Sequence, residues 1–165
     1  MSEPVRLLVH GASGRMGLAL LRLAADLPQV QVVAAVQRKV GQRVVEGVPF
    51  FAAAELHGAP AFDAAIDFSL PEAFDAVLAL CVERGSAFVS GTTGLSEGQR
   101  AGLQSASARI PLLWSANFSL GVAILDELVE RAAVALPGWD CDIVEAHHSR
   151  KLDAPSGTAL ALGAA

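Results

Sequence analysis

A glycine-rich loop between a short apolar strand and a helix is the feature that most constrains the fold of this chain. Residues 6–10 are a predicted buried strand, residues 16–27 a predicted helix, and Gly11, Gly14 and Gly17 fall in and just after the turn between them. Glycines there let the backbone approach a pyrophosphate, whose charge the helix N-terminus stabilises. The context predicts dinucleotide binding, although the bare pattern is weak and differs from G-x-G-x-x-G. The alternative is a tight turn required only for packing.

Strand and helix predictions alternate after this loop. Further strands are predicted over residues 30–36, 64–68, 87–90 and 110–114. The intervening helices carry capping boxes, one from Ser69 to Glu72 and one from Ser96 to Gln99, and Gly85 ends the first of them. This alternation predicts an α/β fold with a Rossmann-like, doubly wound parallel sheet.

A long amphipathic helix over residues 119–136 and a strand over residues 140–146 follow this part of the chain. We place a domain boundary near Asn117, because the β-α repeat stops there. The prediction is a dinucleotide-binding domain over residues 1–117 and a second domain over residues 118–165.

Composition excludes several classes of partner. The formal net charge is −5 without a basic run, which argues against nucleic acid and anionic membranes as partners. Residues 1–6 do not resemble a signal peptide, and no apolar stretch has the length of a membrane span. The two cysteines, Cys81 and Cys141, have neither CxxC nor metal-ligand spacing. We expect reduced core cysteines, a cytoplasmic protein and no metal site.

The end of the second predicted strand bears on cofactor choice. Many dinucleotide-binding proteins carry an acidic residue there to bind the ribose hydroxyls, but this chain has Gln37 followed by Arg38. An amide and a guanidinium suit a 2′-phosphate better than a carboxylate would. We therefore expect NADPH to be accepted at least as well as NADH. The alternative is that Arg38 is a solvated loop residue.

Two polar loops follow later strands, at the sheet edge where an open α/β fold binds its ligand. The first contains Gly91, Thr92 and Thr93, and the second runs from Ser115 through Ala116, Asn117 and Phe118. Each alone is ordinary turn chemistry. Their position makes them candidates for contacts with a nicotinamide and its ribose.

Two adjacent histidines and a helix start are crowded into one segment near residue 150. His147 and His148 follow a predicted strand, and Ser156 is placed as an N-cap for a helix opening with Gly157 and Thr158. Cationic side chains together with free amides favour a carboxylate-bearing substrate. Two alternatives stay open: the histidines decorate the surface, and the Ser-Gly-Thr sequence is only a helix cap.

Four motifs, in this order and spacing, resemble dihydrodipicolinate reductase, also called 4-hydroxy-tetrahydrodipicolinate reductase. They are Gly-Ala-Ser-Gly-Arg-Met-Gly, Gly-Thr-Thr-Gly, Asn-Phe-Ser and Glu-Ala-His-His-x-x-Lys-x-Asp-Ala-Pro-Ser-Gly-Thr-Ala. The resemblance implies a reductase of lysine and diaminopimelate biosynthesis, which uses NADPH or NADH to reduce a cyclic dicarboxylate imine to tetrahydrodipicolinate. It also implies a second domain of α+β type for substrate binding and oligomerisation, and a homo-oligomer, a tetramer in the family, for a full-length chain.

The resemblance assigns roles by matching positions. His147 and Lys151 would be catalytic, as acid/base residue and proton donor, and His148, Gly157 and Thr158 would bind the substrate. The implied cofactor-binding residues are Gly11, Ala12, Ser13, Gly14, Arg15, Met16, Gln37, Arg38, Gly91, Thr92, Thr93, Ser115, Ala116, Asn117 and Phe118.

The chain departs from the family pattern at three places. Members often have Glu where this chain has Gln37, and the segment over residues 39–51 is shorter than usual. The sequence also ends within the helix begun at Ser156, so residues 118–165 are expected to be only the first part of the second domain. The main alternative is a catalytically inactive NAD(P)H-binding fragment or sensor. A semialdehyde dehydrogenase would need a nucleophilic loop cysteine, and neither predicted cysteine position provides one.

Overall fold

The structure is a computed structural model that describes residues 3–39, 41, 43–45, 47–147, 149 and 154–164. Its strands are β1 (Val5–His10), β2 (Val30–Gln37), β3 (Val44–Val45), β4 (Val48–Ala52), β5 (Ala64–Asp67), β6 (Ala87–Ser90) and β7 (Leu112–Trp114). Its α-helices are α1 (Arg15–Ala25), α2 (Pro71–Arg84), α3 (Glu97–Ser107), α4 (Leu120–Ala135) and α5 (Gly157–Ala164), and a 3-10 helix covers Ala53–Gly58.

The described strands form one seven-stranded sheet in the order β3-β4-β2-β1-β5-β6-β7. Neighbouring strands are parallel throughout the order β4-β2-β1-β5-β6-β7. Among the described strands, only the short β3 is antiparallel to its neighbour, β4. Without β3, the parallel strands follow the 3-2-1-4-5-6 order of a dinucleotide-binding Rossmann fold, with the switch point between β1 and β5. The predicted α/β, doubly wound fold is confirmed. The sequence analysis assigned no strand to the segment that forms β3 and β4.

Apolar side chains cover both faces of the sheet because strand residues point alternately to either side. Along β1, Leu8 belongs to the larger buried cluster and Val9 to the smaller one. Phe74 of α2 meets Phe88 of β6 edge to face in the larger cluster, with 5.7 Å between ring centroids. Leu20 and Leu21 of α1 pack against the smaller cluster. Helices α2 and α1 therefore pack on opposite faces of the sheet.

The structure confirms two of the predicted helix ends and contradicts a third. The capping box from Ser96 to Gln99 is confirmed, as is Gly85 in the left-handed conformation that ends α2. The capping box at Ser69 was wrong, because Leu70 is the N-cap of α2 and makes no side-chain cap. The Ser69 amide instead donates to the side chains of Asp67 and Thr92, so Ser69 belongs to the preceding strand end rather than to the helix.

The predicted strand over residues 140–146 was also wrong. The segment has no regular secondary structure, and Val144 is 93% exposed. A strand needs a partner for its backbone groups, and none of the described residues pairs with this segment. Cys141 within it is exposed, so the expectation of a core cysteine fails there.

The chain divides into two compact units, Met1–Ser115 and Ala116–Ala165. The first contains the whole sheet with α1 to α3, and the second contains α4, α5 and the irregular segment between them. Within the described residues, no helix combines the length and apolar character needed to cross a membrane.

Cys81 and Cys141 are expected to differ sharply in reactivity. Burial raises the pKa of the Cys81 thiol to about 12, with the Asp67 charge adding to the effect and Arg84 opposing it. Because the thiolate is the reactive form, a thiol-specific reagent at neutral pH should label Cys141 and spare Cys81 in the native protein. The Cys141→Ser variant serves as the control. Its label should appear only after denaturation, and rapid native labelling of that variant would contradict the burial of Cys81.

Candidate functional site

A cleft of about 680 Å³ lies in the first unit, beside the glycine loop, the end of β2 and the start of α2. Five of the predicted cofactor-binding residues line it, namely Gly11, Ser13, Gly14, Gln37 and Arg38. The other lining residues were missed from sequence: His10, Lys39, Ala53, Phe68, Ser69, Leu70, Glu72 and Ala73. The loop after β5 was predictable in principle, because that strand adjoins β1 at the switch point where such sheets bind ligands.

The N-terminus of α1 is open toward an anion. Gly14 is its N-cap and provides no side chain, there is no acidic residue in the first turn, and the Leu18 amide donates to the Gly14 carbonyl. By contrast, serine side chains cap α3, α4 and α5 at Ser96, Ser119 and Ser156. The first amides of α1 are thus left without a side-chain cap, and together with the helix dipole they favour a phosphate group.

Close backbone contacts explain two of the loop glycines. Gly11 has a φ of +79°, and a Cβ on it would lie 2.4 Å from the Phe68 carbonyl oxygen. A Cβ on Gly17 would lie 2.4 Å from the Gly11 carbonyl oxygen. Gly14 is less constrained, with 3.2 Å to the same oxygen. Packing therefore accounts for Gly11 and Gly17, while Gly14 lines the cleft.

A buried carboxylate lies beneath these loops. Asp67, at the end of β5, contacts His10 Nδ1 at 2.8 Å and accepts hydrogen bonds from the Ser90 hydroxyl at 2.8 Å and the Thr92 hydroxyl at 2.7 Å. The Ser69 amide also donates to it, at 3.2 Å. Burial favours a raised pKa, but the hydrogen bonds of His10, Ser69 and Thr92 and the charge of His10 hold the pKa of Asp67 below its ordinary value. The sequence analysis did not identify this network.

The remaining cofactor candidates of the glycine loop lie outside the lining of the cleft. Ala12 is fully buried, and its amide donates to the Val36 carbonyl at 3.0 Å. Arg15 and Met16 are exposed on the first turn of α1. Their roles stay predictions; only their backbone amides share the open helix terminus.

The loop after β6 makes hydrogen bonds to Asp67 and does not line the cleft. The Gly91 amide donates to the Asp67 carbonyl at 2.9 Å, and Thr92 is buried with its hydroxyl on the Asp67 carboxylate. Thr93 is exposed. The Ser115 amide donates to the Ser90 carbonyl at 3.2 Å, beside the same strand end. Cofactor binding by these residues stays a prediction.

In the second unit, Glu145 organises the start of α5. Its carboxylate accepts hydrogen bonds from the Ser156 amide, at 2.8 Å, and from the Ser156 hydroxyl. The Ser156 hydroxyl oxygen in turn accepts from the Ala159 amide at 3.0 Å, which confirms Ser156 as the N-cap. The sequence analysis did not assign this role to Glu145. The next amides, those of Gly157 and Thr158, belong to the first turn of α5.

Predicted cofactor and substrate residues meet at this helix start. The Asn117 side-chain amide donates to the Thr158 hydroxyl at 3.1 Å, and a Cβ on Gly157 would lie 3.9 Å from that of Ala116. Phe118 is 42% exposed. The second unit therefore joins the segment after residue 115 to the substrate-binding candidates.

Of the histidine and lysine candidates, the structure describes only His147. It is exposed, and its Nδ1 lies 3.8 Å from Glu145 Oε2, which is too far for a hydrogen bond. His148 and Lys151 lie outside the described residues. Among the described residues, no cluster of His, Cys, Asp and Glu side chains is arranged to hold a metal ion.

The strand order, the glycine loop and the open start of α1 together define a dinucleotide-binding protein of the Rossmann class. Residues 5–118 match the family model described as dihydrodipicolinate reductase, N-terminus, and residues 121–165 match its C-terminus model. The chain belongs to the dihydrodipicolinate reductase family, a family of NAD(P)H-dependent oxidoreductases that acts in lysine biosynthesis. The comparisons do not support the alternative of an inactive sensor.

Individual relatives agree with this assignment. The chain is 73% identical to the 4-hydroxy-tetrahydrodipicolinate reductase of Stenotrophomonas maltophilia (strain K279a), with 98% of this chain and 69% of that protein covered. It is 68% identical to the enzyme of the same name from Xanthomonas campestris pv. campestris (strain B100), covering 99% and 69%. A similar solved structure is a dipicolinate-bound dihydrodipicolinate reductase from Paenisporosarcina sp. TG-14, with TM-score 0.77, 25% identity, and 98% and 64% coverage. The chain thus spans about two thirds of these relatives.

Proposed function

We propose that this chain binds NAD(P)H mainly through its first unit and provides, in its second unit, residues that bind and protonate a cyclic dicarboxylate imine. The reaction is the reduction of 4-hydroxy-tetrahydrodipicolinate to tetrahydrodipicolinate, in which the 4-hydroxyl group leaves as water. The observation that carries the proposal is the uncapped start of α1 beside a cleft lined by five predicted cofactor residues. The relatives are longer than this chain, which covers 69% of the Stenotrophomonas maltophilia protein.

The cofactor half of the proposal rests on backbone donors. The first amides of α1 and the glycine loop would carry the pyrophosphate, because they are uncapped and meet no acidic residue in the first turn. Gln37 and Arg38 line the same cleft at the end of β2 and would bind the adenosine ribose. When bound, NAD(P)H supplies the hydride, and the protein supplies binding and orientation. Gly91 to Thr93 and Ser115 to Phe118 are proposed for the nicotinamide side.

The substrate half rests on the start of α5. A dicarboxylate needs fixed donors, and the Gly157 and Thr158 amides follow an N-cap that Glu145 holds in place. His148 is proposed as a further carboxylate contact. Hydride addition to a conjugated imine leaves electron density that must be protonated, so a positioned acid helps. His147 and Lys151 are proposed for that proton transfer, from their places in the family motif.

The direct test is substrate-dependent loss of nicotinamide absorbance, with dihydrodipicolinate synthase generating the substrate in the cuvette. NADH and NADPH are run in parallel, and omission of the synthase is the control. Turnover that requires the synthase is the expected result. Cofactor binding without turnover would favour the alternative of a nucleotide-binding fragment, and absence of both would overturn the proposal.

Arg38 is expected to favour NADPH over NADH. It is exposed at the rim of the cleft beside Lys39, and a guanidinium pairs with a 2′-phosphate in a bidentate geometry. Arg38→Ala should raise the Kd for NADPH by about tenfold while changing that for NADH little. Arg100→Ala, which removes an exposed arginine from α3, is the matched control. An equal increase in the Kd for both cofactors would show that Arg38 does not bind the 2′-phosphate.

We also propose a homo-oligomer, a tetramer as in the family, acting in the cytoplasm. One face of α4 supports an assembly, since Leu120, Ile124 and Leu128 are all more than half exposed at helical spacing. Both cysteines are free, as expected in a reducing compartment. Light scattering on the full-length protein tests the assembly.

A further inference from the structure

Two side-chain contacts with an aspartate join β1 to β5, one at each end of the strands. Arg6 and Asp63 form an exposed pair at the amino-terminal end, with Nη2 to Oδ1 at 2.6 Å. His10 and Asp67 form a pair at the carboxyl end, with Nδ1 to Oδ1 at 2.8 Å and exposures of only 3% and 0%. The carboxyl end is the one that faces the cleft. Of these two contacts, the buried one lies on the side where the ligand is proposed to bind.

A buried carboxylate contact is weak evidence for stability, because desolvation of the carboxylate offsets much of the attraction. The Asp67 carboxylate nonetheless accepts hydrogen bonds from four residues, His10, Ser69, Ser90 and Thr92. These donors come from the ends of β1 and β6 and from the loops after β5 and β6. One carboxylate thus links three neighbouring strand ends, and a network with this geometry specifies position better than an apolar contact would.

Phe68 connects the hydrogen bonds around Asp67 to the cofactor loops. The Phe68 amide donates to the His10 carbonyl at 3.1 Å, and the following Ser69 amide donates to Asp67. A Cβ on Gly11 would meet the Phe68 carbonyl oxygen at 2.4 Å, and one on Gly91 would meet the Phe68 ring at 2.1 Å. Both glycine-containing loops are therefore packed directly against Phe68. A shift of the residues around Asp67 would shift both loops.

We propose that His10 and Asp67 are positioning residues that set the spacing of the glycine loop, the Phe68 segment and the loop after β6 around the cofactor. The inference deepens the proposed function and rests on it. Its consequence is specific: loss of the network should weaken NAD(P)H binding, because the loops carry the cofactor contacts. Substrate binding by the second unit should change less.

The strand ends offer matched variants for a test. Ser90→Ala removes a buried hydroxyl that donates to Asp67 at 2.8 Å, and Ser86→Ala removes a buried hydroxyl that donates to the Phe62 carbonyl, also at 2.8 Å. Ser86 precedes β6 and Ser90 ends it, so the two variants remove similar hydroxyls from opposite ends of the same strand. Asp67→Asn and Asp63→Asn form a second such pair.

His10 has its own conservative substitution. His10→Leu fills the site without a donor, whereas His10→Asn places a side-chain amide at the position of Nδ1 and can still donate to Asp67. A role in positioning predicts that Asn restores what Leu removes. A role in filling space alone predicts no such rescue.

The measurement is the Kd for NADPH, from its fluorescence on titration, with thermal denaturation of each variant as the check on folding. His10→Leu and Asp67→Asn should raise the Kd by about tenfold, since a hydrogen bond to a charged group is lost. Ser90→Ala should raise it by less, and His10→Asn should recover most of the loss seen in His10→Leu. Ser86→Ala and Asp63→Asn should stay within about twofold of the parent protein.

The outcomes separate the inference from the proposed function. A parent protein that binds no NAD(P)H overturns both. A parent protein that binds, with an unchanged Kd in folded His10→Leu, overturns the positioning role alone. Where His10→Leu or Asp67→Asn does not fold, the comparison of Ser90→Ala with Ser86→Ala decides: equal Kd values refute the role, and a higher value for Ser90→Ala supports it.

Discussion

Replacing Gly11 with alanine is expected to destabilise the first unit strongly and to weaken NAD(P)H binding. The residue has a φ of +79°, a conformation that costs an L-residue about 1–2 kcal/mol. The added Cβ would also lie 2.4 Å from the Phe68 carbonyl oxygen, which is backbone and cannot rotate away. Overpacking of this kind adds about 1–3 kcal/mol. Because the loop lines the cleft, its displacement should raise the Kd for NADPH as well.

Gly85→Ala is the matched control for this prediction. Gly85 has a similar φ of +67°, but nothing lies within 4 Å of the added Cβ. Its substitution therefore measures the conformational cost without the clash. Chemical denaturation should show a larger loss of free energy of unfolding for Gly11→Ala than for Gly85→Ala, and only Gly11→Ala should affect cofactor binding. Equal losses would mean that the Phe68 contact adjusts at little cost.

Replacing His147 with alanine is expected to lower kcat by about 10²–10⁴-fold, the usual contribution of a general acid or base. The cofactor Kd should stay unchanged, because His147 is not among the residues that line the cofactor cleft. Steady-state kinetics with each nicotinamide cofactor, combined with a binding titration, measure both quantities. Unchanged turnover would remove His147 from the proposed catalytic residues.

His57 provides a matched control for this substitution. Its Nδ1 lies 3.8 Å from a Glu83 carboxylate oxygen, the same distance as that between His147 Nδ1 and Glu145 Oε2. Both histidines are exposed beside one carboxylate, but His57 belongs to the 3-10 helix and lies outside the cleft lining. His57→Ala should leave kcat unchanged. A similar fall in both variants would point to a general effect of losing an exposed histidine.

Features with a local cause were read correctly from the sequence. The turn after α2 needs a left-handed residue, and glycine at Gly85 supplies it. The Ser96 and Ser156 caps act on amides three residues further along the chain, so their signals lie within one helical turn. The glycine loop was recognised because the strand before it and the helix after it are contiguous in sequence.

Features with a distant cause were misread or missed. Ser69 has the sequence of a capping residue, but Asp67 and Thr92 take its amide, and Thr92 lies 23 positions away. The segment over residues 140–146 has strand-forming residues, yet a strand forms only where another strand supplies hydrogen-bond partners. His10 and Asp67 are 57 residues apart, and nothing near either one indicates the other.

By itself the sequence determined the α/β class, the dinucleotide-binding loop, the family and the candidates for the two halves of the site. These depend on short-range patterns: periodicity, caps, glycine spacing and contiguous motifs. Only the tertiary structure decided which candidates line one cleft, that Thr92 is turned inward, and that a buried Asp67 ties three strand ends together. The physical reason is that parallel strands bring their carboxyl ends together across long loops, so the groups that meet there are neighbours in space and not along the chain.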